Sequence, residues 1–590
     1  MTPAMRPARR RGRHALAAAL AALALAAPAL CAAPLDEARA AVERRQFDTA
    51  LPLYRVLLAE QPGHADLLIE AARVSGFADR NAEAAARYRQ VLVLAPQRRA
   101  DVLPSLAWQT LCAGDAAAAV PLFEELGSGG ADRADRVDRA SAFDGLGQAR
   151  LALGDDAAAI TAWRAALALQ PAQPGVERRL ARALMWSDRH DEAAALLQAA
   201  LERNPADRDS AWLLAHVRNF AGLHFLALGD FRRLGGPRGA GEATDLARAW
   251  AWAGFEDRAH ALLAGQGGLD PDITRWRDTR LARPLRPQLN AALEHEVDSD
   301  SLEAWRSSLA ALWQPAAGQS AELRLRRSDL VDGNGAPSAT ELEGQWRLRL
   351  GEPGAGTGPD GLPGVLWTGF GLRLSDWGDW TPVTGQARLT WLPRDRWRLD
   401  AEAGRSLVET PQAIAERVSV DSLALGVDHR PQPGLTLSLG LAALRFDEGN
   451  LRRRVNARVE WRLPHHPRWS VGADAMAFES TRPTGPGVAA RGYWNPQRYG
   501  EARVFGAWRI ERADWDAGVR LGLGRSSERD GDGLRSRGRP NFWELNAGWD
   551  PGASARWQFV LGGSGGGFGV SQGGAGYWRR YAGLSFSGWF

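Results

Sequence analysis

The 590-residue chain has no lysine, so apart from histidine its 73 basic side chains are all arginine. Set against 69 carboxylates they leave a formal charge of +4, a balance that does not suggest a nucleic-acid partner. Cysteine is nearly absent too: Cys31 and Cys112 are the two present. The opening residues read as a secretory signal over 1–33. MTPAMRPARRRGRH is the positive region, ALAAALAALALAAPAL the apolar one, and CAAP supplies small residues for cleavage near Cys31 to Ala33. Leu30 stands before Cys31, where a lipoprotein signal usually has a small residue, which argues against lipidation. With Cys31 in the leader, no disulfide framework or thiolate metal site can form in one mature chain, and Cys112 is expected as a small buried apolar residue. No later stretch offers the roughly 18 unbroken apolar residues that a spanning helix needs, so any passage through a membrane is not by helices.

What is present divides the chain in two. Its length predicts more than one domain. Up to about residue 280 it is alanine-rich, with an interval of 34. Pro62 and Pro96, Pro171 and Pro205, Ala50 and Ala84, Tyr54 and Tyr88, and Ala159 and Ala193 all stand 34 apart. Alanine, a large residue four later and a proline twelve after the alanine form the tetratricopeptide signature. A small residue lets two antiparallel helices cross closely, and the proline ends the second helix. Leu146-Gly147, Ala159, Trp163, Ala166 and Pro171 fill the expected places of one unit. Another unit is looser, read at Ala118 and Leu122, and GSGGADR (127–133) inserts about seven residues. After Pro205 the pattern decays, returning at Ala247, Ala259 and Leu263. The segment resembles the tetratricopeptide family, with six to seven repeats over about 34–280. Such solenoids offer a concave surface to partner proteins.

From about 286 the period becomes two. In LRRRVNARVEWRL, Leu451, Val455, Ala457, Val459, Trp461 and Leu463 alternate with Arg452, Arg454, Asn456, Arg458, Glu460 and Arg462. RWRLDAEAG and ELEGQWRLRL alternate in the same way. Segments of about ten such residues between turns are the signature of a transmembrane β-barrel. Connectors that alternate short (393, 430, 464, 550) with long (408, 480, 525, 562) support it, and GEPGAGTGPDGLPG (351–364) breaks that rule. Counting back from Phe590 gives sixteen strands, with fourteen or eighteen left open and the first near 286–296. A soluble β-sandwich also alternates. The leader, the charged polar face and tryptophans near strand ends favour the barrel. The predicted class is therefore multidomain α + β: signal peptide 1–33, tetratricopeptide solenoid 34–280, antiparallel barrel of about sixteen strands 281–590.

On the polar face the sequence nominates Arg324, Arg326, Arg347, Arg349, Arg388, Arg398, Arg452, Arg454, Arg458, Arg462, Arg503 and Arg509 as lining a lumen, with fewer carboxylates such as Glu343, Asp400, Glu402 and Glu460. Either these arginines satisfy neighbouring charges and water, or they make an anion-favouring passage. The ending YAGLSFSGWF resembles the last strand of Gram-negative outer-membrane proteins. The whole layout resembles synthase-dependent exopolysaccharide exporters, above all the poly-β-1,6-N-acetylglucosamine export porins and more distantly the cellulose export subunits. The shorter arm is a departure. GYWNPQRY (492–499) is similar to a stretch of the cellulose type, with Trp494 and Asn495 replacing Phe and Ser. The resemblance implies a Gram-negative outer-membrane pore for a biofilm polysaccharide. Its periplasmic arm would dock polymer-modifying enzymes or the inner-membrane synthase. Trp377, Trp380, Tyr493 and Trp494 are candidates for stacking on sugar rings. A cationic glucosamine polymer sits badly with so many arginines, so the polymer stays open. Export of surface proteins or lipoproteins shares the same outline. An enzyme is not expected, because the ten histidines are scattered, His465-His466 lie in a short turn with no acidic partner beside them, and no nucleophile elbow, zinc spacing or phosphate loop is present. No cofactor or metal is implied.

Overall fold

The computed structural model describes residues 34–128, 133–352, 364–464, 466–484, 491–567 and 577–590. The proposed leader with Cys31, His465, and parts of the connectors at 127–133, 351–364, 480–500 and 562–574 lie outside the described residues. Two compact units divide at Leu213/Leu214. Helix gives way to strand between Leu285 and Gln288, so the last helices belong to the same unit as the strands.

Seven helix pairs precede the strands among the described residues. They are α1 (34–43) with α2 (Phe47–Glu60), α3 (Ala65–Phe77) with α4 (Asn81–Leu94), and α5 (Arg99–Cys112) with α6 (Ala116–Gly127). There follow α7 (Arg133–Ala152) with α8 (Asp156–Leu169), α9 (Pro174–Trp186) with α10 (His190–Arg203), α11 (Arg208–Phe220) with α12 (His224–Arg233), and α13 (Ala240–Trp252) with α14 (Glu256–Ala264). The crossings are as the repeat requires. Ala50, Ala84, Ala159 and Ala193 are fully buried, and Tyr54, Tyr88, Trp163 and Leu197, four residues on, are buried beside them. The looser unit is corrected by one residue: Ala119 and Phe123, not Ala118 and Leu122, are buried. The apparent decay after Pro205 is also corrected. Ala227 and Phe231 are fully buried 34 residues after Ala193 and Leu197, so the interval persists where the proline does not. Cys112, expected to be buried, is instead exposed at the last residue of α5.

Among the described residues, seventeen antiparallel strands form one sheet that closes on itself, from β1 (Gln288–Asp298) to β17 (Tyr577–Trp589). Strand β1 pairs with both β2 (Glu303–Trp313) and β17, so the seam has no free edge. Strands β14 (Arg535–Gly538) and β15 (Asn541–Gly552) lie in succession along the same neighbour, β13 (Trp515–Arg529), which leaves sixteen wall positions. Pro540 interrupts them because it has no N–H for the ladder. Short turns at 299–302, 332–337 and 447–450 sit where strict alternation of connector length calls for long loops.

Outward positions are apolar and bare. Leu323, Leu325, Leu342, Val455, Val459, Leu523 and Leu584 are 40 to 70% exposed. In a sandwich that face would be covered by a second sheet. A closed wall with a bare apolar outer band is the form that lipid covers.

Candidate pore

Alternation fixes which side chains point inward. With Leu323 and Leu325 outside, Arg324 and Arg326 of β3 (Gln319–Val331) face the interior. The same reasoning turns inward Arg347 and Arg349 of β4 (Ser338–Glu352), Arg388 of β6 (Val383–Leu392) and Arg398 of β7 (Trp397–Leu407). It does so also for Arg452, Arg454, Arg458 and Arg462 of β10 (Leu451–Arg462), and Arg503 and Arg509 of β12 (Arg498–Glu511). Most of them meet carboxylates. Arg324 pairs with Glu322 at 2.6 Å, Arg388 with Glu402 at 2.5 Å, Arg398 with Asp400 at 2.8 Å and Arg509 with Glu511 at 2.9 Å. Asp474 of β11 (Trp469–Ser480) lies between Arg458 at 3.7 Å and Arg503 at 2.8 Å. Acidic side chains are more numerous on this face than the sequence singled out, since Glu294, Glu296, Glu341, Glu501 and Glu544 join it. The interior is therefore a lattice of alternating charge. Among the described residues, Arg347, Arg454 and Arg462 make no ion pair and are exposed.

The two ends of the barrel differ. At the near end, where β1 begins and β17 ends, the helices that close the arm sit against strand ends. Asp395, in the turn after β6, accepts hydrogen bonds from the backbone N–H groups of Phe225 (2.8 Å) and Leu226 (2.9 Å), satisfying the first turn of α12. Glu352 is bridged by Arg232 and Arg258. Arg283 reaches Asp550 at 2.6 Å and covers the Trp589 ring at 4.7 Å. Arg349 is part of this docking: it pairs with Asp257 at 2.7 Å and lies 3.9 Å above the Phe255 ring. Beside it opens a cavity of about 1030 Å³, lined by strand ends together with Glu256, Asp257, Arg280 and Arg283.

At the far end the connector after β7 folds inward. Glu409 accepts from Arg306 at 3.2 Å and Arg326 at 3.0 Å and lies 3.7 Å from Arg373, joining three strands. A short helix, α15 (Pro411–Ala415), follows, N-capped by Thr410. Thr410 Oγ1 donates to the Gly492 carbonyl at 2.8 Å. Gly492 has φ +83°, and a Cβ there would lie 2.5 Å from the Ala413 nitrogen, so only glycine fits this contact. Arg491 binds Glu416 and Asp447, both at 2.9 Å.

The nominated aromatics belong to this far-end packing. Tyr493 stacks on Phe446 at 4.0 Å and is 3% exposed, and Trp377 is 7% exposed beside Leu330 and Ile414. Trp380 packs partly buried on that cluster. Trp494 meets Phe478 and Tyr499 edge-on, and its indole N–H donates to Glu528 at 3.1 Å. Arg452 lies over Phe478 at 4.5 Å and donates to the Trp494 carbonyl at 2.5 Å, so it braces this far-end packing. Sequence reasoning missed Glu409, Arg306, Arg373, Glu352 and Asp395. The two acids in connectors, Glu409 and Asp395, fall outside any periodic signal.

No family profile matches the chain, and no curated protein matches it. Solved structures do superpose. A structure described as a bacterial polysaccharide outer membrane secretin covers 52% of this chain and 99% of its own, at 12% identity and a TM-score of 0.41. A tetratricopeptide repeat protein from Parabacteroides merdae covers 42% and 96%, at 12% identity and 0.35. PilW, a type IV pilus biogenesis factor, covers 41% and 98%, at 17% identity and 0.29. At these scores the likeness decides nothing about cargo. The fold rests on the strands and helices themselves: this chain is a helical-repeat arm followed by a closed barrel.

Proposed function

We propose that the protein is an outer-membrane porin that exports a secreted polysaccharide through its barrel, while the periplasmic arm docks the enzymes that make or modify the polymer. The observation that carries this reading is the continuity of repeats, near-end cavity and charged interior within one chain. A wet, ion-paired lumen suits a hydroxyl-rich chain, because each sugar hydroxyl finds donors and acceptors along the wall. The interior also bears on the alternative of exporting surface proteins or lipoproteins. The loop carrying Glu409 turns into the barrel at the far end, which favours an extended chain over a folded polypeptide as cargo. Transport requires no catalytic step, and no residue is assigned one.

The test is complementation. In a deletion strain, arm alone and barrel alone are each expected to leave polymer inside the envelope, and the full chain to restore it at the surface. Normal surface polymer in the deletion strain would reject the reading.

A further inference from the structure

The interior as a whole balances its charges, but the near-end cavity does not. Nine arginines line it against five carboxylates, Glu256, Asp257, Glu511, Asp516 and Asp550. Asp400 and Glu402, just beyond the lining, neutralise Arg398 and Arg388. An excess of guanidinium remains, and it is concentrated in groups with no carboxylate. Arg347 is exposed on the inward face, and among the described residues its side chain makes one hydrogen bond, to the Gln345 amide oxygen at 3.4 Å. Arg512, in the turn after β12, is exposed and makes no ion pair among the described residues.

Around these charges the lining mixes neutral polar side chains, Gln386, Thr390 and Ser320, with apolar ones such as Leu285, Leu312 and Leu392. Trp367 of β5 (Gly364–Asp376) is on the inward face, because Phe370, Leu372 and Leu374 are outside. It lines the same cavity, partly buried, with Arg349 5.5 Å from its ring. The volume, about 1030 Å³, is at the upper end of ordinary ligand pockets, which run to about 1,000 Å³.

We infer that this cavity is a binding site for a carboxylate-bearing segment of glycan, the acidic class of sugar polymer, held as it enters the barrel. An arginine fork takes a carboxylate through two parallel N–H bonds, which a hydroxyl cannot match. Amide and hydroxyl side chains take the ring hydroxyls. Trp367 gives the apolar face of a pyranose a surface to lie on. A polymer of free amino sugars is the wrong partner, since its ammonium groups would meet unpaired guanidinium. The inference rests on the export reading and adds to it the charge of the cargo.

The test uses the full-length protein in detergent, titrated calorimetrically with trigalacturonate, neutral maltotriose and a glucosamine trimer. At low salt trigalacturonate is expected to bind at least tenfold more tightly than maltotriose. The glucosamine trimer should bind most weakly, and high salt should erase the difference. Arg347→Gln with Arg512→Gln should remove the preference. The double lysine variant should keep part of it, since charge remains while the fork is lost. Trp367→Ala should weaken all three. Unaltered mobility of the folded barrel on unheated gels checks that each variant still folds. Equal affinity for trigalacturonate and maltotriose, strongest binding of the glucosamine trimer, or an unchanged preference in the double glutamine variant would each overturn the proposal. Intact secretion by complementation alongside any of those results would confine the failure to the charge of the cargo. Normal surface polymer in the deletion strain would instead remove the export reading itself.

Discussion

At the scale of single residues, the arm depends on close approaches that tolerate no added atom. Trp163 is fully buried, and its indole N–H donates to Asp144 at 3.0 Å. Asp144 is in turn held by Arg179 at 2.6 Å. The ring lies flush against the backbone of α7, so a Cβ at Gly147 would fall 2.6 Å from it. Gly147→Ala must therefore displace a side chain that packing and an ion-paired hydrogen bond both hold. The cost should be about 1–3 kcal/mol, as for other overpacked cores. Urea titration of the helical far-UV signal measures it, and a midpoint equal to wild type would show that Trp163 has room to move.

At the scale of elements, α12 joins a helical repeat to a barrel turn. Its first residue, His224, is partly buried, with Nδ1 2.7 Å from the Asn219 side-chain oxygen and its ring 5.8 Å from Trp252. Burial, and then the nearby charge of Arg430, push its pKa down to about 4. The folded chain thus holds His224 neutral where an unfolded segment, with a pKa of about 6.5, takes up a proton. Stability from this source is complete above about pH 6.5 and is lost as the pH falls towards 4, a difference on the order of 1–3 kcal/mol. Corrected for the intrinsic slowing of exchange in acid, the protection of the α12 amides should accordingly fall between pH 7 and 5. His224→Asn should flatten that dependence. If wild type and variant respond alike, some other group governs the docking.

At the scale of the whole barrel, closure is the feature on which everything else turns. Strand β1 is hydrogen-bonded along its length to β17 on one side and β2 on the other. Every strand is covered, and the wall gains stability cooperatively. The native protein should therefore resist detergent until heated and migrate as a compact species on unheated gels. Ala291 stands in the middle of β1, opposite Phe586 and Leu309. Ala291→Pro removes a ladder N–H at the seam and should abolish the compact species. Persistence of that species in the variant would mean that the seam does not hold the barrel shut.

Much of this architecture was legible in the residues. The interval of 34 and the alternation of two are local patterns, set by helix crossing and by strand pleat, and they needed no knowledge of what packs where. They gave the arm, the barrel, the count of sixteen and the inward side of each arginine. Some ion pairs were legible as well, since Arg398 and Asp400, or Arg324 and Glu322, share a strand face two residues apart. What the tertiary structure alone decided depends on register and on inserted loops. Arg388 finds Glu402, and Asp474 finds both Arg458 and Arg503, because those residues stand opposite one another across strands. Glu409 reaches three arginines by a loop that turns back into the barrel. Arg349 leaves the lumen to hold Asp257, and Tyr493 is covered by Phe446. Alternation tells which way a side chain points, but partners at that depth come from chain segments far away in sequence. The sequence by itself therefore set the wall and its two faces, and the folded chain chose which charges are cancelled and which are left to meet a ligand.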